Sequence, residues 1–170
     1  MSTNASQAAV RVTRPRKAPG IKKTWTISLV DFAGVYQSDP SDRVAMIRAG
    51  VPATDAKKLL EKLDVSQGAV LKSLNLSTAT LNRKVSKGEA LSAEDSERIV
   101  GMSKLIGQVQ TMVEQSGAPQ GFDAAKWVAG WLQTPVAALG GGRPVDYMDT
   151  MEGQGMVAAL LARMQSGAYA

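Results

Sequence analysis

The chain has 170 residues, 44% of them hydrophobic and 21% charged, a globular balance with enough apolar material for one ordinary domain or two small ones. It has no Cys and no His, which removes disulfides, thiolate nucleophiles, Cys/His zinc sites and Ser-His-Asp catalysis together, so binding leads over chemistry and no cofactor or metal is expected. Lys and Arg outnumber Asp and Glu by 20 to 15, a formal charge of +5, and that excess suggests an anionic partner, with nucleic acid or a membrane surface as first candidates.

Residues 1–24 carry Arg11, Arg14, Arg16, Lys17, Lys22 and Lys23 and no acid, with Pro15, Pro19 and Gly20 to break any helix. The segment reads as a disordered basic arm in which Arg14, Arg16 and Lys17 are candidate phosphate contacts. It lacks the apolar h-region of a secretory signal, and an Arg-rich transit peptide is the minor alternative. No run approaches the ~18–20 apolar residues that span a bilayer, so no membrane partner and a cytoplasmic location are expected. Residues 24–30 (TWTISLV) alternate apolar and hydroxyl side chains, as a short strand or an extended segment lying on the core would.

From Ser41 the signals are helical. Ser41 is placed to cap a helix over 42–49, ended by Gly50 and Pro52; the next, 52–63, puts Ala56, Leu59, Leu60 and Leu63 on one face. Ser66 and Ser77 are candidate caps for two short helices that meet at Asn75-Leu76, and Gly88 stops the second. The longest element starts at Ser92. There Ile99, Met102, Leu105 or Ile106, Val109 and Met112 or Val113 recur about every 3.5 residues, as a packing or dimer seam requires. Residues 116–121 (SGAPQG) form a linker. Helices over 123–133 and 153–166 follow, separated by a turn at Pro135 and a Gly140–Gly142 break. The expected class is all-α.

Two short capped helices joined by a tight turn, as in 66–88, make a helix-turn-helix, whose second helix enters the major groove by its N-terminal part. Its outward candidates are Ser77, Thr78, Thr80, Asn82, Arg83, Lys84 and Lys87. Asn and Arg match adenine and guanine edges, while hydroxyls and Lys suit phosphates. The competing reading is an αα-hairpin with a solvated basic face. Trp127 and Trp131, four apart, suit core packing better than a stacking platform for bases. Asp146, Asp149 and Glu152 suit an exposed acidic helix entry better than a cation site.

The C-terminal third carries Trp131-Leu132, Pro135, Ala138-Leu139-Gly140-Gly141, Pro144, Thr150, Gly153, Val157, Leu160-Leu161, Gly167 and Tyr169. This pattern resembles the toxin-binding domain of bacterial Xre/MbcA/ParS-type antitoxins. RAGVPA at 48–53 and LSAEDSERI at 91–99 extend the resemblance to the Xre-like helix-turn-helix part, so that it covers roughly 42–170. The resemblance implies an all-α chain with a helix-turn-helix and dimerisation region over 25–116 and a small helical toxin-binding domain over 117–170. It implies a non-enzymatic antitoxin of a type II module whose partner is a RES-type toxin, resembling ADP-ribosyltransferases, that consumes NAD or modifies an enzyme of nucleotide metabolism. Such antitoxins form homodimers, cover the toxin's active site and repress their own operon by binding promoter DNA. Carried onto this chain, the covering segment is Arg163, Gln165, Ser166, Gly167, Ala168, Tyr169 and Ala170. The alternative is a helix-turn-helix regulator whose C-terminal domain only oligomerises or binds another protein.

Overall fold

The computed structural model describes residues 26–117 and 121–166. The basic arm with Arg14, Arg16 and Lys17, and the tail from Gly167 to Ala170, lie outside them. Side-chain oxygens of Asp31, Asp39, Ser77, Ser92, Asp123 and Thr150 each accept a backbone N–H from the turn that follows. Caps of this kind each contribute about 1 kcal/mol, and they set the starts of six helices. In chain order the helices are α1 Phe32–Gln37, α2 Pro40–Ala49, α3 Ala53–Lys62, α4 Gln67–Ser73, α5 Thr78–Lys87, α6 Ala93–Gln115, α7 Ala124–Trp131 and α8 Met151–Gln165. Two 3-10 turns, Ala137–Leu139 and Pro144–Tyr147, lie between α7 and α8. No strand occurs among the described residues, where β pairing is confined to a single bridge between Pro52 and Ala90. The chain is all-α, as expected.

Several starts differ from the sequence reading. Asp39, not Ser41, caps α2, because Pro40 at the first helical position holds the preceding residue in extended geometry (φ −60°, ψ 140°) that suits a cap. Ser66 stands at the start of α4 but makes no side-chain cap bond. The last helix begins at Met151, two residues before the expected Gly153, because Thr150 caps it through the Gly153 N–H at 3.1 Å. Within 26–30 there is no strand. Leu29 instead sits in the core, 3% exposed, and its carbonyl accepts a 2.7 Å bond from Ser103.

Helix α6 organises the molecule. Ile99, Val100, Met102, Leu105, Ile106 and Val109 are buried within the chain, each contributing roughly 1.5–3 kcal/mol of apolar burial. The apolar recurrence therefore serves intrachain packing, since α1, α2, α7 and α8 all pack on α6. Helix α1 approaches closely at Gly107. A Cβ there would lie 1.9 Å from the Phe32 carbonyl oxygen and 2.8 Å from the Tyr36 Cβ, so only glycine admits the contact. Arg43 finishes α1 from outside, its guanidinium donating to the carbonyls of Val35, Tyr36 and Ser38.

The helix-turn-helix is built on α3, α4 and α5 through Leu59, Leu60, Leu63, Leu71, Leu74 and Leu81, all at most 2% exposed. Asn75 takes the left-handed conformation at the turn (φ 52°), which Asn tolerates better than most residues. After residue 121, Val128, Leu132, Met148, Val157 and Leu161 join the same continuous apolar cluster.

Candidate functional site

Helix α5 turns its outer face to solvent because its two apolar anchors, Leu81 and Val85, lie one turn apart on the opposite side. Ser77, Thr78, Asn82, Arg83 and Lys87 are exposed as the spacing predicts, and Thr80 is half-buried. The Ser77 hydroxyl accepts the Thr80 N–H at 3.2 Å, so that residue is engaged as a cap. Lys84 is also half-buried, and its ammonium donates a 2.7 Å hydrogen bond to the Ala90 carbonyl. It closes the α5–α6 connection and has less freedom to reach outward than its position on the helix suggests. Conversely, Ala79 and Ser86 are exposed on the same outer face as Arg83. A search for polar side chains passes over Ala79, although a methyl group there suits contact with a thymine methyl. Advancing about 100° per residue from Leu81 would have found both.

The charge follows the same division. Residues 31–87 hold nine basic and six acidic side chains, whereas 88–170 hold five basic and nine acidic.

On the C-terminal side, Arg163, Gln165 and Ser166 are exposed on the last turn of α8, where the Ser166 hydroxyl donates to the Arg163 carbonyl at 3.0 Å. Two joints fix α8 to α6. Gln108 donates to the Ala158 carbonyl at 2.9 Å. The Gln154 amide, 5% exposed, donates to the carbonyls of Met148 (3.0 Å) and Arg98 (3.2 Å), while its oxygen has no hydrogen-bond partner. That oxygen packs against Gly101, where a Cβ would come within 1.7 Å of it.

Of the tryptophan pair, Trp131 packs half-buried against the core as expected, whereas Trp127 does not. Trp127 and Trp131 stack with centroids 5.8 Å apart and planes 10° from parallel, but Trp127 remains 38% exposed. The buried face of α7 is Ala124, Ala125, Val128 and Ala129 instead. Phe122 tilts against Trp127 at 6.5 Å. Together with Val109, Met112, Leu161 and Met164 these two line an apolar groove of about 440 Å³ between α6, α7 and the end of α8. Sequence reading missed this groove, because no single stretch of sequence contains it.

The acidic residues do not converge. Arg143 pairs with Asp146 through two bonds of 2.8 and 3.2 Å. That guanidinium holds the Asp146 carboxyl below its usual range. Among the described residues no three acidic side chains gather as ligands, and no helix is long and apolar enough to cross a membrane.

A helix-turn-helix unit sharing one core with a second helical unit whose last turn is exposed defines the class: an all-α helix-turn-helix protein with an appended helical domain. Residues 42–103 match the antitoxin Xre-like helix-turn-helix domain, and residues 121–167 match the antitoxin Xre/MbcA/ParS C-terminal toxin-binding domain. A protein of Sphingobium sp. (strain YBL2) named Prs ADP-ribosylating antitoxin is 48% identical over 139 residues, covering 82% of this chain and 87% of that one. The chain belongs to the Xre/MbcA/ParS antitoxin family.

Proposed function

We propose that this antitoxin neutralises a RES-type, ADP-ribosyltransferase-like toxin by covering its active site with the end of α8 and the tail from Gly167 to Ala170. As a homodimer it represses its own operon by binding promoter DNA through α5. The observation that carries this reading is the joining of two exposed surfaces by one core. The outer face of α5, with Asn82, Arg83 and Lys87, belongs to one matched unit, and the exposed last turn of α8 belongs to the other. Two copies of α5 spaced about 34 Å apart would address successive major grooves. The name of the Sphingobium relative, which joins antitoxin to ADP-ribosylation of Prs, supports a toxin of that chemistry here.

The test is co-expression with the reading frame that adjoins this gene. The account expects growth arrest by the neighbouring protein alone, relief by the full chain, and a complex that co-purifies. A chain truncated after Ser166 should fail to relieve the arrest. Full relief by the truncated chain would remove the tail from the mechanism, and no arrest by either neighbouring frame would remove the toxin.

A further inference from the structure

The groove between α6, α7 and α8 has the composition of a docking site. None of its nine lining residues is charged, in a chain where 21% of residues are. Six large apolar side chains are exposed among the described residues, and four of them (Trp127, Met151, Met156 and Met164) lie in the toxin-binding domain. Two of those four, Trp127 and Met164, line the groove. Its volume lies within the roughly 300–1,000 Å³ of clefts that receive a ligand. Trp concentrates binding energy when a partner desolvates it, and the unbranched Met side chain adapts to the shape of a partner.

We propose that the toxin seats an uncharged, apolar cluster of its own surface in this groove, with Trp127 and Met164 as the anchoring contacts. The inference rests on the antitoxin reading and assigns its docking step. The toxin is favoured as occupant because the groove is continuous with the matched toxin-binding domain and borders the last turn of α8. Met164 and Gln165, which line it, belong to that turn and to the matched span. Docking and covering are then separate tasks: the groove sets affinity and register, and the covering segment blocks the site.

The test is calorimetric titration of the full-length chain with the purified protein of the adjoining reading frame, beside a methionine-methyl NMR spectrum of the unaltered chain. Met164→Glu and Trp127→Ser should each weaken binding by about tenfold or more. Met156→Glu, on α8 outside the groove, should bind as the unaltered chain does, and truncation after Ser166 should keep most of the affinity. The Met164 methyl signal should move when toxin is added, a readout that needs no variant to fold. Unchanged affinity in both groove variants, or an equal loss in Met156→Glu, would overturn the docking site while leaving the antitoxin reading intact. Failure of the unaltered chain to bind the toxin would overturn that reading itself. A Met164 signal that shifts on truncation alone would assign the groove to the chain's own tail. Dissociation of a dimer by Met164→Glu with toxin binding unchanged would assign it to a second copy. Either result would refute the proposal.

Discussion

Lys84 and Lys87 look equivalent in sequence but hold different positions, and replacing each with Ala separates them. Lys87 is exposed on the last turn of α5, whereas Lys84 is half-buried and its ammonium is bonded to the Ala90 carbonyl at 2.7 Å. For duplex DNA the logarithm of affinity falls with the logarithm of salt by about 0.9 per phosphate neutralised. Lys87→Ala should therefore flatten the slope by about 0.9, so that a fourfold rise in salt costs the variant roughly 3.5-fold less affinity. Lys84→Ala should leave the slope unchanged and act on folding. A charge-assisted hydrogen bond contributes about 1.5–3 kcal/mol at best, and partial exposure brings the expected loss here to about 1 kcal/mol. For a chain of this size that is a fall in Tm of roughly 2–4 °C. Fluorescence anisotropy on a labelled duplex across a salt series, beside thermal unfolding, reads both quantities. An equal flattening by Lys84→Ala with no loss of Tm would refute the separation, and the hydrogen bond to Ala90 would have to yield to DNA.

Two further outcomes concern the scaffold. Gly107→Ala tests the α1–α6 contact by sign: helix propensity alone predicts a gain of about 1 kcal/mol, whereas a Cβ 1.9 Å from the Phe32 carbonyl oxygen should cost about 1–3 kcal/mol net, because backbone cannot rotate away. Urea unfolding decides, and a more stable variant would contradict the packing. Asp39 and Asp146 supply the pH dependence. Hydrogen bonds from the side chain and backbone of Ser41 hold the first below its ordinary value of 3.8, and Arg143 holds the second below the same value. Both bind fewer protons when folded, so their stabilisation is complete above that value and is lost as pH falls through and below it. Their replacement by Asn should lessen the acid dependence of Tm below about pH 4 and leave no new dependence near neutrality, where a chain without His lacks the usual titrating group.

Local chemistry made much of the fold legible. Ser77 and Ser92 cap where the sequence places them, Gly88 closes α5 in the left-handed conformation, and Asn75 makes the helix-turn-helix turn. What escaped depends on distant partners. Helix α1 is six residues long and contains a glycine and a β-branched residue, a poor helix in isolation. Its burial on α6 at Gly107 and the Arg43 bonds at its end supply what propensity does not. The Lys84 bond requires Ala90, and the bridge to Pro52 fixes Ala90 in place. The groove draws on three helices and on Ser116 and Phe122 from the α6–α7 connection. Periodicity assigns a residue to a face of its own helix, but which faces meet is settled by packing.

The most direct test of the central claim is an ADP-ribosylation assay on the purified protein of the adjoining reading frame, with labelled NAD, in the absence and presence of this chain. The account predicts transfer without the chain, and suppression that is complete near stoichiometric addition. Transfer that continues undiminished in the presence of a bound, fully folded chain would contradict it.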